Sequence, residues 1–378
     1  MTTLLIVGDF SPQGRLALLH TMSPTDVFGD FHEKLANSDL AILNLEAPLC
    51  RPTSPIVKTG PALHGAPETA EFIAASGFDL ACLANNHIMD YGSDGLSQTI
   101  ASLDRHHVAW TGAGLDHAAA SRPFIREIKG QAIAILNFAE NEWSTTYDGQ
   151  PGACPIDPIR NYQAIHECRQ TADNVIVICH GGHEHFSLPS PRMQELFHFY
   201  VDAGADAVVN HHTHCQSGYE VYNGSPIFYS IGNFLFDKEE NLDYQWSRGM
   251  AIELTLTDSG VDFCLHHFNQ CTAGQLFEVV DAGETEMRNS HLAELNEIIE
   301  SRDALKDAFK TLVTKRNKQY RSYLEPKLSR LVAAAQRRGL LPSLLNRRHR
   351  ALLLNLIRCE SHREILIELL KRDVSNSR

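Results

Sequence analysis

The sequence predicts an α/β layered domain over residues 1–280, followed by a basic helical region over residues 287–378. Three observations carry this reading. Over the first 270 residues, short apolar runs bounded by Gly, Asp or Asn alternate with amphipathic segments. From about residue 287 the apolar period lengthens to 3.6 with few β-branched runs, as in LVAAAQRRGLLPSLLNRRHRALLLNLI. Charge changes sign near the same place: the 378-residue chain carries a net −13, yet residues 301–378 hold 19 Lys or Arg against 7 Asp or Glu.

In chain order, the apolar runs predict strands over residues 4–7, 40–45, 80–84, 132–137, 175–179, 207–209 and 227–230. Helices are predicted between them over 67–76, 95–106, 159–171 and 191–203. The first of these opens on Pro67, a residue whose fixed φ suits an N-terminal turn. Two of them are followed by Gly77 and Gly204, which suit helix C-termini. In the basic region, Gly339 and Pro342 are expected to separate two helices.

Composition narrows the class. The opening MTTLLIVGDF has a four-residue apolar run and no basic leader, so it does not read as a signal peptide. No window approaches the roughly 18 uninterrupted apolar residues of a spanning helix. A soluble, cytoplasmic protein is expected. Nine cysteines lie scattered without a CxxC pair, which argues for reduced thiols rather than a disulfide framework. Gly112–Gly114 lacks the spacing of a dinucleotide fingerprint, and neither a phosphate-binding P-loop nor a GxSxG elbow occurs.

The chemistry-bearing residues cluster at strand ends. LLIVGD ends in Asp9, DLAILNLE in Asn44 and Glu46, and DLACLANNH in Asn85, Asn86 and His87. NVIVICHGGHE delivers His180, and DAVVNHHTH delivers His211, His212 and His214. Ligand sites in layered α/β folds form beyond the carboxyl ends of strands, where loops converge. Taken singly, each residue has an ordinary reading: Asp9 as a turn former, Asn85 and Asn86 as caps, His87 as a hydrogen-bonded histidine. Five coincidences at strand ends outweigh those readings, and three imidazoles in HHTH gain nothing for stability. Imidazoles with carboxylates and no required thiolate suit one or two divalent ions such as manganese, zinc or iron. Two neighbouring ions bridged by Glu46 or Asp9 would share a water of lowered pKa. His183 and His185 read as rim residues.

At these residues the chain resembles the CapA family of bacterial capsule and poly-γ-glutamate synthesis proteins, related to the calcineurin-like metallophosphoesterases. The matching stretches are NLEAPL at 44–49, KTGPALHGAPE at 58–68, GFDLACLANNHIMDYGSDGL at 77–96, HGGHE at 180–184 and the run from 204 to YSIGNFLFD at 237. The resemblance implies a four-layer αββα sandwich of metallophosphatase type with a C-terminal helical appendix. It implies Asp9 and His214 on one metal, Asn86, His180 and His212 on a second, and Glu46 between them. His87 would be the catalytic proton donor, a task suited to a near-neutral pKa, with Asp90 orienting it. Arg15, Lys58, Glu184 and His211 would contact an anionic small-molecule or polymer substrate. Two departures stand out: Ser11 replaces the histidine of the DxH pattern, and HGGHE replaces HWGxE.

Two functions follow. One is a metal-dependent hydrolase acting on a phosphoester or, with less support, a glutamyl-type amide. The other is an accessory subunit of a capsule or polymer assembly system, docking an acidic partner or membrane surface through Arg337, Arg338, Arg347, Arg348 and Arg350. The preferred reading of those arginines is an ordinary helical face packed against the acidic domain. Nucleic-acid binding is not expected, because the basic region interleaves few aromatics beyond Tyr320 and Tyr323.

Overall fold

The computed structural model describes residues 1–146, 149–238, 245–324 and 345–376, together with Ala335. The expected break at Gly339 and Pro342, and the side chains of Arg337 and Arg338, lie outside the described residues.

Side-chain alternation along the first strand builds the layers. In Thr2–Ser11, Leu4 and Ile6 enter an apolar layer shared with Ile133, Ile135, Val177 and Val208. Leu5 and Val7 point the other way, into a cluster with Leu16, Phe28, Phe31 and Leu35. Leu40–Leu45 repeats the split, with Leu40 and Ile42 on the inner side and Ala41 and Leu43 on the outer. Ile165 of helix Pro158–Arg169 and Phe197 and Tyr200 of helix Pro191–Asp202 cover the far side of the second sheet. The result is the four-layer αββα sandwich.

Among the described residues, the first sheet runs in the order Phe277–Val279, Gly260–Gln270, Arg248–Thr257, Thr2–Ser11, Leu40–Leu45, Leu80–Cys82 and Ala109–Thr111. Its last four members are mutually parallel. The second sheet runs Tyr219–Tyr222, Ser225–Phe228, Ala207–His211, Asn174–His180, Gln131–Ala139 and Phe124–Ile128. Its four central strands are parallel and its two edges antiparallel. Parallel centres bring the carboxyl ends of neighbouring strands to one end of each sheet.

One irregularity shapes that end. Thr2–Ile6 pairs with Arg248–Thr257, whereas Asp9–Ser11 pairs with Asn233–Phe236, with a register shift between Asp9 and Phe10. The changeover needs glycine, since a Cβ on Gly8 would lie 2.0 Å from the Gly232 carbonyl oxygen. Asp9 N then donates to that carbonyl at 3.2 Å.

All seven predicted strands and four predicted helices are present, with ends shifted by a few residues. The long hairpin Arg248–Thr257 and Gly260–Gln270 was not among them. Its signal is the alternation of Ile252, Leu254 and Leu256, all fully buried.

The C-terminal helices pack onto this sandwich. Leu292, Leu295 and Ile299 of Ala282–Glu300 join the inter-sheet core. Helices Arg302–Leu324, Arg347–Arg358 and Glu360–Asn376 share a third cluster built on Phe309, Val313, Leu356 and Ile365. Arg347, Arg348 and Arg350 are exposed.

Candidate metal centre

Register sets the donors level with one another. Asp9 pairs with Asn44 across the first sheet, and His180 with His211 across the second. Between them stands Glu46, one residue past its strand, its backbone N–H donating to Phe10 O at 2.9 Å. Asn85 ties down the neighbouring loop, donating to Leu45 O and accepting from the His87 backbone N–H. Asp9, Glu46 and His180 are almost wholly buried, and Asn86, His212 and His214 nearly so.

The distances describe a set of electron-pair donors aimed at common points. His180 Nε2 lies 3.1 Å from both Asn86 Oδ1 and His212 Nδ1, and 3.6 Å from Glu46 Oε1. His214 Nε2 lies 3.7 Å from the same Glu46 oxygen. Ligands about 2.1 Å from one divalent ion stand about 3.0–3.4 Å apart, so the spacing fits a shared ion. Neither Glu46 oxygen has a hydrogen-bond partner, although both are buried. Such an orphaned carboxylate is costly unless a cation meets it.

Two triads of ligand atoms come within 4.8 Å of one another here, Asp9 with Glu46 and His180, and Glu46 with His212 and His214. Glu46 belongs to both. The donors interlock: His180 stands near Asp9 as well as near Asn86 and His212, and His214 near His212 as well as near Asp9. His214 remains close to Asp9, its Nδ1 3.4 Å from Oδ2.

Partners beyond the donors orient them. Asn44 Nδ2 donates to Asp9 Oδ1 at 2.7 Å and stands 3.2 Å from His180 Nδ1. His214 Nδ1 lies 2.9 Å from Asn233 Oδ1, and its Nε2 faces Glu46. Ser11 is wholly buried and accepts from Gln13.

Electrostatics match a cluster built for positive charge. Burial raises the Glu46 carboxyl well above its usual range, and the charges of Asp9 and Glu184 add to it. Burial also acts to raise Asp9, but the His214 hydrogen bond and nearby imidazoles hold it well below the carboxylate range. His180 is driven well down by burial and by His212.

His87 stands beside these donors. Its Nδ1 donates to Asp90 Oδ2 at 2.7 Å, Leu63 N donates to the same oxygen, and Lys58 donates to Oδ1. Asp90 therefore orients His87, and the helix that follows, Gly92–Arg105, has no side-chain cap. Burial pushes the His87 imidazole down to about 4, with Lys58 adding to the fall and Asp90 opposing it. This corrects the expected near-neutral pKa: the ring is neutral at pH 7 and presents Nε2 as an acceptor.

A cavity of about 390 Å³ opens beside the cluster. Asn86, His87, His212, Lys58 and Glu184 line it, and so do Arg316, Tyr320, Tyr323 and His362 of the C-terminal helices. Of the expected substrate contacts, Arg15 is placed elsewhere: its guanidinium donates to Asp237 at 2.7 Å and to the carbonyls of Cys271 and Thr272. His211 sits behind Asp9, its Nδ1 3.6 Å from Oδ1. His183, expected at the rim, lines the cavity and is buried against Glu364 and Phe309. Sequence reasoning missed Glu142, whose Oε1 lies 3.6 Å from His212 Nε2, and the part of the cavity wall that the C-terminal helices supply.

The family of the bacterial capsule synthesis protein PGA_cap matches residues 3–238. The chain belongs to this family. It is 32% identical over 271 residues to the capsule biosynthesis protein CapA of Bacillus anthracis, covering 68% of this chain and 64% of that one. It is 35% identical over 174 residues to the PGA biosynthesis protein CapA of Bacillus subtilis, covering 45% and 46%. The chain thus spans about half to two thirds of the length of these relatives. Among solved structures, a 5'-nucleotidase precursor from Thermus thermophilus aligns with TM-score 0.42 and 12% identity, over 78% of this chain and 58% of that chain. No helix among the described residues is long and apolar enough to cross a membrane.

Proposed function

We propose that this CapA-family chain is a metal-dependent hydrolase, acting on a phosphoester or, with less support, on a glutamyl-type amide, in capsule or poly-γ-glutamate assembly. The observation that carries the reading is the Glu46 carboxylate, buried with both oxygens unpartnered between two sets of imidazoles. Asp9, Glu46, Asn86, His180, His212 and His214 would hold one or two manganese, zinc or iron ions. Bound there, the metal supplies Lewis acidity and a water of lowered pKa. His87, neutral and fixed by Asp90, accepts a proton or a hydrogen bond at Nε2. Lys58, paired with Asp90, and Arg316 would meet an anionic substrate group in the cavity, which Glu142 and Glu184 also line. Nine free cysteines, eight of them buried, support a cytoplasmic location.

Purified protein loaded with manganese should hydrolyse an aryl phosphate or phosphodiester, with loss of turnover in His212→Ala and His87→Ala. Metal binding without hydrolysis of phosphoesters or γ-glutamyl amides would leave the accessory role as the reading. Exposed Arg347, Arg348 and Arg350 would then be the place to seek an acidic partner or membrane surface, by pull-down and vesicle sedimentation.

A further inference from the structure

A second group of metal-type donors lies where the C-terminal helices meet the sandwich. Glu142, Cys359 and His362 offer a carboxylate oxygen, a thiol sulfur and an imidazole nitrogen within 4.8 Å of one another. Glu142 comes from the loop after Gln131–Ala139, and the other two from the joint between Arg347–Arg358 and Glu360–Asn376. Cys359 is the extended residue at the joint itself, and His362 lies three positions on, in the first turn of the helix that follows. None of the three belongs to the metal-donor set at the strand ends.

We propose that Glu142, Cys359 and His362 form a separate zinc site that joins the C-terminal helices to the sandwich. Several features of the joint select the ion. A thiolate, an imidazole and a carboxylate suit zinc and disfavour magnesium or calcium, which take oxygen donors. Tyr320 Oη lies 2.6 Å from His362 Nδ1, so a neighbouring helix holds the ring. The Cys359 thiol, which donates to Glu140 Oε2 at 3.7 Å, is wholly enclosed at the joint. Glu140 keeps its other partners independently, accepting from Arg192, Ser361 and the Gly182 N–H. When zinc binds, the sulfur–hydrogen bond breaks, the electron pair goes to the metal and the proton leaves to solvent.

Three protein donors leave a fourth zinc position. Glu142 and His362 both line the 390 Å³ cavity, so that position faces the same space as the main cluster. It would take water or an anionic group. The inference stands apart from the hydrolase reading, because its readout is the ligand set of the metal.

Full-length protein carrying Cys264→Ser, which removes the exposed thiol, should be loaded with cobalt(II) in place of zinc. A thiolate-to-cobalt charge-transfer band in the near ultraviolet is expected. Cys359→Ser should abolish the band and lower bound zinc by one equivalent, leaving the metal on the strand-end donors in place. Absence of the band in the parent protein, or its persistence in Cys359→Ser, overturns the proposal. If Cys359→Ser does not fold, X-ray absorption of the zinc-loaded parent decides. A sulfur shell at about 2.3 Å supports the site, and a shell of nitrogen and oxygen alone overturns it.

Discussion

Lys58 Nζ lies 3.0 Å from His87 Nδ1, and both groups bind the one carboxylate of Asp90. Burial opposes protonation of the ring and the ammonium adds to it, which holds the imidazole at about 4 although Asp90 pulls it up. Lys58→Met removes the opposing charge and leaves Asp90 without one partner. The His87 pKa should rise toward the ordinary value near 6.5, read by NMR titration of its ring signals. An unchanged or lower value would show that the Lys58 charge does not hold the ring down.

Glu46→Gln separates stability from metal binding. Without a cation the Glu46 carboxyl is buried, unpartnered and repelled by Asp9, so replacing it should raise the melting temperature of the metal-stripped protein. The same change should remove the stabilisation that added manganese gives the parent through the strand-end donors. At a metal concentration of 100 times Kd that stabilisation is about 2.7 kcal/mol. Thermal melts with and without chelator measure both effects.

Gly8→Ala tests the change of partner along the first strand. The new methyl would meet the Gly232 carbonyl at 2.0 Å, backbone against backbone, with no flexible end to yield. A loss of about 3 kcal/mol or more is expected in urea unfolding, together with reduced metal content, because Asp9 is the next residue.

Acid should loosen the C-terminal helices. Burial acts to raise Glu140, but Arg192, Ser361 and the Gly182 N–H together hold it below its usual value. A depressed carboxyl contributes stability that is fully present above the unfolded value, about 4.3, and is lost as pH falls through the lower folded value. Limited proteolysis should therefore release the region beyond residue 301 progressively below about pH 4. Glu140→Gln should show easier release already at pH 7.

Much of this architecture is legible in local pattern. Alternation such as Leu4 and Ile6 against Leu5 and Val7 is enough to place a strand between two layers, and the donors Asp9, Glu46, Asn86 and His180 stand at the strand ends where convergence is expected. Long-range choices are not legible. Arg15 looks like a free cation until Asp237, 222 residues later, accepts its guanidinium. Glu142 follows a strand like many solvated acids. Arg316, Tyr320 and His362 sit on ordinary amphipathic helices, and only the docking of those helices turns them toward the cavity. The His87 pKa also depends on burial, which the sequence motif does not encode.

The backbone N–H of His212 donates to Asp9 Oδ2 at 3.1 Å across 203 residues of chain. During synthesis Asp9, Glu46 and Asn86 therefore wait, exposed and acidic or polar, until both sheets exist and face each other. Local contacts cannot assemble the ion-binding cluster ahead of that event, since its donors arise from strands of the two sheets. Capture of a divalent ion should accordingly be among the last steps of maturation, and the rate of metal uptake during refolding would time the docking of one sheet on the other.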